Sequence, residues 1–268
     1  MKIKLGLFDS GIGGLTILRR VIERHGDQEC IYLGDLARVP YGSKTSSEIR
    51  IIAREVIEWL NEQAVSAVLI GCNTTDSLAF DIVQDCSEAP VFGLIEGAAS
   101  KMIFENRVGI LATPATVGSS AYTKKILEFH PNTFVLEQAC PAFVPMIENG
   151  QLNSTEIHKI ANEYLKPLLE AQVQSIILGC SHYPFLIPYL KELLPANVRL
   201  IDPSIAIAEA LDPFIQSKKP SPECAFDFSK TRFCVTSDVI GFRSRTMCWL
   251  NKCPEVELVS LRSKACVS

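Results

Sequence analysis

The chain has 268 residues, is 47% hydrophobic and 21% charged, and carries a formal net charge of −4, which suits one large soluble domain or two modest ones. It has no basic cluster to serve as a nucleic-acid footprint, and no apolar run reaches the roughly 18–20 residues that cross a bilayer. Its ten cysteines show no C-x-x-C and no zinc-finger spacing, so most are expected to be free thiols in a reducing, cytoplasmic setting.

Residues 4–8 form the first strand-like run, and Asp9-Ser10-Gly11-Ile12-Gly13-Gly14 follows it. A glycine-rich turn between a strand and a helix can hold an anion on its N–H groups. It serves equally as a plain tight turn, and it is not the G-x-G-x-x-G of dinucleotide sites. Apolar strand-like runs recur at 30–33, 67–70, 91–94, 108–111, 133–136, 175–178 and 198–201. Between them, residues 45–63 carry Ile49, Ile52, Ala53, Val56, Ile57 and Leu60. Residues 154–171 carry Ile157, Ile160, Ala161, Tyr164, Leu165 and Leu168 in the same way. Both are the i, i+3, i+4 stripe of an amphipathic helix. Strands alternating with helices predict an α/β fold with parallel sheets. Beyond residue 209 come a surface turn at 218–222, a strand at 231–236 and an amphipathic segment near 242–250. So small a remnant must pack on a larger unit, and the first half is the expected one.

The chain resembles itself. Val65-Ser-Ala-Val-Leu-Ile-Gly71-Cys72-Asn73 aligns without a gap on Val173-Gln-Ser-Ile-Ile-Leu-Gly179-Cys180-Ser181, 108 residues further on. Leu5 to Ser10 resembles Val108 to Thr113, and Leu94-Ile95-Glu96 resembles Leu200-Ile201-Asp202. These anchors predict two related α/β units, residues 1–95 with 209–268 and residues 96–208, with a pseudo-two-fold relation and a cleft between them. Ligands of parallel α/β sheets sit at the carboxyl ends of the strands. Four polar clusters fall there: Asp9-Ser10, Cys72-Asn73-Thr74, Thr113 to Thr116, and Cys180-Ser181-His182.

Cys30, Cys86, Cys224, Cys234, Cys248, Cys253 and Cys266 sit in plain contexts and read as small packing residues. Cys72, Cys180 and, less strongly, Cys140 sit in suggestive ones. Asp9 could orient or deprotonate one thiol and His182 the other. A base on one face of a tetrahedral carbon and an acid on the other can remove and return a proton with inversion. A thiol, with a reference pKa of about 8.5, can serve in either state after modest tuning. The residues alone leave other chemistries open. Cys72, Cys180, His182 and Asp9 match zinc ligand types, Cys180 with His182 could be a nucleophile and base of a hydrolase, and the two thiols could form a redox disulfide.

Asp9-Ser-Gly-Ile-Gly-Gly-Leu15, Pro40-Tyr41-Gly42, Cys72-Asn-Thr74, Leu111-Ala-Thr113, Cys140-Pro-Ala-Phe-Val-Pro-Met-Ile-Glu-Asn-Gly150 and Leu178-Gly-Cys-Ser-His-Tyr-Pro184 occur in this order. Together they resemble the glutamate racemases of the aspartate/glutamate racemase superfamily. The resemblance implies two α/β domains with the site between them, and Cys72 and Cys180 as acid/base residues assisted by Asp9 and His182. It implies a substrate pocket lined by Ser10, Pro40, Tyr41, Gly42, Asn73, Thr74, Thr116 and Ser181, with Glu148 nearby. It further implies glutamate as substrate, no cofactor and no metal, D-glutamate for peptidoglycan, and a homodimer. Aspartate racemisation is the neighbouring alternative. The chain departs from the family pattern at Thr75-Asp76, Ser181 and Ile201-Asp-Pro203, and lacks a proline before Gly97. Asp76 is the departure of most consequence, because a carboxylate facing an anionic substrate is costly unless it points away.

Overall fold

A computed structural model describes residues 3–100, 106–152, 154–215 and 227–261. Cys224, Cys266 and the 218–222 turn lie outside the described residues, as does the side chain of Cys248. The elements alternate as expected. The first unit of chain runs β1 (Lys4–Asp9), α1 (Leu15–His25), β2 (Glu29–Gly34), α2 (Ser46–Glu62), β3 (Ala67–Ile70), α3 (Asn73–Cys86), β4 (Val91–Phe92) and α4 (Leu94–Ser100). There follow β5 (Arg107–Ala112), α5 (Pro114–Ser119), α6 (Ala121–Phe129), β6 (Phe134–Ala139), α7 (Phe143–Glu148), α8 (Ser154–Glu170), β7 (Ser175–Gly179), α9 (Ile187–Leu193), β8 (Arg199–Ile201) and α10 (Pro203–Ala210). The chain returns through β9 (Thr231–Val235), α11 (Val239–Leu250) and β10 (Val256–Leu258).

Among the described residues two sheets result, six strands in the order β10-β9-β2-β1-β3-β4 and four in the order β6-β5-β7-β8. Every pairing is parallel. The stretch β2-β1-β3-β4 repeats the order β6-β5-β7-β8, so Cys72 after β3 and Cys180 after β7 hold equivalent places. The returning strand β9 lies beside β2, and β10, which the sequence pattern did not reveal, beside β9.

The strands are buried on both faces, and alternation divides their side chains between two layers. In β1 and β3, Leu5, Leu7, Ala67 and Leu69 face one core, while Phe8, Val68 and Ile70 face another that α2 and α3 cover. In β5 and β7, Leu111, Ile176 and Leu178 join the first of these cores, and Val108, Ile110 and Ile177 pack with Tyr122 and Ile126 of α6. The two sheets therefore share one apolar layer. The start of α2 is closed by a reciprocal capping box between Thr45 and Glu48.

The expected strand at 91–94 is shorter. It ends at Phe92, and Leu94 and Ile95 open α4 instead, because their N–H groups donate to the Asp76 carboxylate at 2.7 and 2.8 Å. The repeat anchor there shifts too. Phe92 pairs with Leu69 as Ile201 pairs with Ile177, so the counterpart of Ile201 is Phe92 rather than Ile95. Pro203 occupies the first position of α10, where a missing N–H costs nothing, and Asp202 caps that helix by accepting from the Ser204 N–H at 3.0 Å.

Candidate active site

The carboxyl ends of β1, β3, β5 and β7 converge. Asp9, the last residue of β1, is fully buried; its Oδ1 accepts from the Gly11 N–H at 2.8 Å and its Oδ2 from the Ser181 hydroxyl at 2.8 Å. Ser181 follows Cys180, so the first strand end is bonded directly to the second cysteine's loop. Ser181 is one of the family departures, and its hydroxyl makes this link. The Ile12 N–H donates to Glu148 Oε1 at 3.2 Å. The glycine-rich turn thus holds anions, but at these two N–H groups they are the protein's own carboxylates. The glycines permit the approach: a Cβ at Gly11 would stand 2.2 Å from Glu148 Oε1, and one at Gly13 2.2 Å from Ser181 Oγ and 2.5 Å from His182 Nδ1.

His182 is buried with Nδ1 3.9 Å from Cys180 Sγ and 3.4 Å from Ser181 Oγ. Its Nε2 meets Glu148 Oε1 at 2.7 Å. Burial works to lower the imidazole pKa, but hydrogen bonds to Cys180 and Glu148 and the Glu148 charge overcome it and raise it well above the usual value. Burial likewise works to raise Glu148, and the bond to His182 overcomes it, leaving the carboxyl below its usual range. Arg245 of α11 adds a positive charge 3.5 Å from Glu148 Oε2. Glu148 is therefore part of the cluster, tied to both His182 and the glycine turn.

Cys72 stands at the N-cap position of α3, 4% exposed. Burial pushes its thiol up to about 12; the Asp9 carboxylate adds to this, and hydrogen bonding from Thr75 opposes it only in part. The expectation of a thiol lightly tuned around neutrality does not hold for Cys72, whose burial pushes it well above that range. The field of the Asp9 carboxylate therefore opposes the Cys72 thiolate. Cys140 donates to the Gln138 carbonyl at 3.5 Å and burial raises its thiol; it packs in the core behind the site. Among the described residues no group of three or more His, Cys, Asp or Glu is arranged to hold a metal ion, and Cys72 and Cys180 are both free thiols.

Polar side chains close the site. The Thr74 hydroxyl lies 3.0 Å from that of Thr113 and 3.4 Å from that of Thr116, and Thr113 donates to Thr116 at 3.0 Å. The Tyr122 hydroxyl donates to Asn73 Oδ1 at 2.5 Å. Tyr41 is buried and donates to Asp35 Oδ2 at 2.5 Å, where Arg38 Nε also donates at 2.6 Å. A Cβ on Gly42 would meet Thr113 Cβ at 2.6 Å, so this loop presses on the start of α5. Pro40, after a cis peptide bond, is exposed. Ser10 is buried beside Asp9. Thr113, Tyr122 and Asp35 are missing from the predicted pocket. Thr113 was marked by its place at a strand end; Tyr122 and Asp35 lie in ordinary helix and loop sequence and carry no local signal. Asp76 is buried and turned onto the start of α4, so it does point away from the cleft; burial pushes it up to about 6.

A family profile for Asp/Glu/hydantoin racemases matches residues 15–211. The chain is 54% identical over 258 residues to a glutamate racemase of Synechococcus sp. (strain CC9605), covering 95% of this chain and 96% of that one. It is 50% identical over 266 residues to a glutamate racemase of Prochlorococcus marinus (strain NATL2A), covering 99% of this chain and all of the relative. Among solved structures, the glutamate racemase of Francisella tularensis in complex with D-glutamate superposes with a TM-score of 0.87 at 36% identity, over 97% of this chain and 98% of that one.

Proposed function

The chain belongs to the Asp/Glu/hydantoin racemase family, and we propose that it is a glutamate racemase working by cofactor-independent two-base proton transfer. The observation that carries this reading is the equivalence of Cys72 and Cys180, each buried at the carboxyl end of a matching strand in the four-strand order that the two sheets share. The family supplies the reaction class, and the names of the relatives supply the substrate.

The D-to-L direction needs a Cys72 thiolate. The α-ammonium of a bound amino acid is an opposite charge placed against the thiol, which favours the thiolate. The thiolate takes the α-proton: the C–H bond breaks, an S–H bond forms, and the electron pair stays on the α-carbon and its carboxylate. The Cys180 thiol then gives its proton to the opposite face, a C–H bond forms and a thiolate remains. Configuration inverts, and one proton has passed from Cys180 to Cys72. The reverse direction exchanges the roles. Asp9 serves the Cys72 side as a proton acceptor. His182, with Glu148 behind it, holds positive charge beside Cys180, which favours the thiolate when that residue is the base. Side-chain donors from Ser10, Asn73, Thr74 and Thr116, with the backbone N–H groups of Tyr41, Gly42 and Ser181, suit the two substrate carboxylates, and Pro40 opens the loop that carries Tyr41 and Gly42.

We infer the division into two related halves, residues 1–95 with 209–268 and residues 96–208, from the repeated strand order. Unpaired thiols such as Cys30, Cys86 and Cys234 support a reducing cytoplasm, and no helix among the described residues is long and apolar enough to cross a membrane. A homodimer that supplies D-glutamate for peptidoglycan follows from the family resemblance.

The test is L-glutamate and purified protein in deuterated water. Exchange of the α-hydrogen with loss of optical rotation is expected; no exchange with glutamate sinks the proposal, and exchange with aspartate alone moves the substrate. Cys72→Ser and Cys180→Ser should each abolish racemisation, whereas a Cys180/His182 hydrolase would tolerate the loss of Cys72.

A further inference from the structure

We propose that Tyr122 is a positioning residue that orients the Asn73 side-chain amide toward the substrate. The inference rests on the racemase reading above and deepens it. Asn73 follows Cys72 in the first turn of α3, and Tyr122 lies near the start of α6, so their 2.5 Å hydrogen bond joins the Cys72 turn to a helix packed on the other sheet. Tyr122 is fully buried. Burial, with the surrounding acidic groups, raises its phenol well above the ordinary value and keeps it a neutral donor.

An asparagine amide offers an oxygen acceptor and an NH2 donor, and the two ends exchange places on a flip. In the observed arrangement the phenol proton is given to Oδ1. If the amide flipped, its NH2 would donate to the phenol oxygen and the phenol proton would lose its acceptor in a dry site, which is disfavoured. Tyr122 therefore selects one orientation. Oδ1 is consumed by the phenol, and Nδ2, which meets no acceptor among the described residues, is left as a donor on the Cys72 side of the helix start. For an anionic substrate the two orientations differ in sign: NH2 hydrogens attract a carboxylate and a carbonyl oxygen repels it. One hydroxyl thus decides whether Asn73 helps or opposes binding.

Tyr122→Phe keeps the ring in its apolar layer and removes only the hydroxyl. Its KM for glutamate is expected to rise about tenfold, the scale of one lost hydrogen bond to charge, with kcat changed much less. In an Asn73→Ala background the same substitution should have no further effect on KM, because there is no amide left to orient. A residue that merely supports packing would give additive effects and no split between KM and kcat; either result overturns the proposal. A measurement on the unaltered protein stands beside these: the Asn73 side-chain amide resonance, assigned by its loss in Asn73→Ala, should shift on addition of glutamate, and an unmoved resonance also overturns it. If the unaltered protein exchanges the α-hydrogen of glutamate, the racemase reading survives any failure here. If it does not exchange, both fall.

Discussion

Glu148 and His182 show how one contact acts on two protonation states. His182 is raised by its hydrogen bonds to Cys180 and Glu148, and the 2.7 Å bond to His182 in turn lowers Glu148. The sign of each contribution follows from linkage. A raised histidine stabilises the fold below its unfolded value of 6.5 and loses that as pH climbs through the folded value. A lowered glutamate stabilises above its unfolded value of 4.5 and loses that as pH falls through the folded one. Glu148→Gln should therefore widen the stability gap to the parent protein most between about pH 4.5 and 6.5, seen as a difference in urea midpoints. An NMR titration of His182 in the variant should show the imidazolium losing its proton at lower pH. An unchanged titration would mean that Glu148 does not hold the charge. His182 stands out in the sequence by its place two residues after Cys180, which bonds to it, but its other partner, Glu148, lies 34 positions away, beyond the reach of any local pattern.

Elements here are shaped by side chains from other elements. The start of α4 is made by Asp76 of α3, whose carboxylate draws Leu94 and Ile95 out of the strand expected there. Their apolar character reads as strand or helix equally well, and the deciding acceptor is distant in sequence. Asp76 is raised from 3.8 to about 6 by burial. A raised acid stabilises below its unfolded value and loses that stability as pH climbs through the folded one, here between about pH 4 and 6. Asp76→Asn keeps an oxygen for the two N–H groups and has no proton to lose. Its stability relative to the parent should rise by up to about 3 kcal/mol between pH 3 and 7, as measured by thermal melts across that range; parallel curves would show that Asp76 is not desolvated. By contrast, the apolar stripe of α2 was legible because it is written in neighbouring residues, and the structure adds the Thr45–Glu48 box that closes its start.

At the scale of the molecule, the two sheets share an apolar layer and meet through the glycine turn. Contact is close enough that Gly13 has no room for a methyl group: its Cβ would overlap Ser181 Oγ and His182 Nδ1. Gly13→Ala is expected to destabilise the protein by about 1–3 kcal/mol, as overpacking does, and to lower turnover by moving His182 from Cys180; a urea titration and a racemisation assay check both, and an unaltered variant would show that the turn has slack. The repeat, and with it the matched places of Cys72 and Cys180 after two similar strands, were determined by the sequence alone, since a buried strand ending in Gly-Cys needs only local residue types to specify it, whereas the strand order within each sheet came from the tertiary structure. Tertiary structure alone decided that Asp9 bonds to Ser181, that Glu148 joins His182, that Tyr122 holds Asn73, and that burial raises the Cys72 thiol. Each depends on which groups burial brings together and on the loss of water around them. Both are properties of distance and dielectric, which a residue's neighbours in the chain do not record.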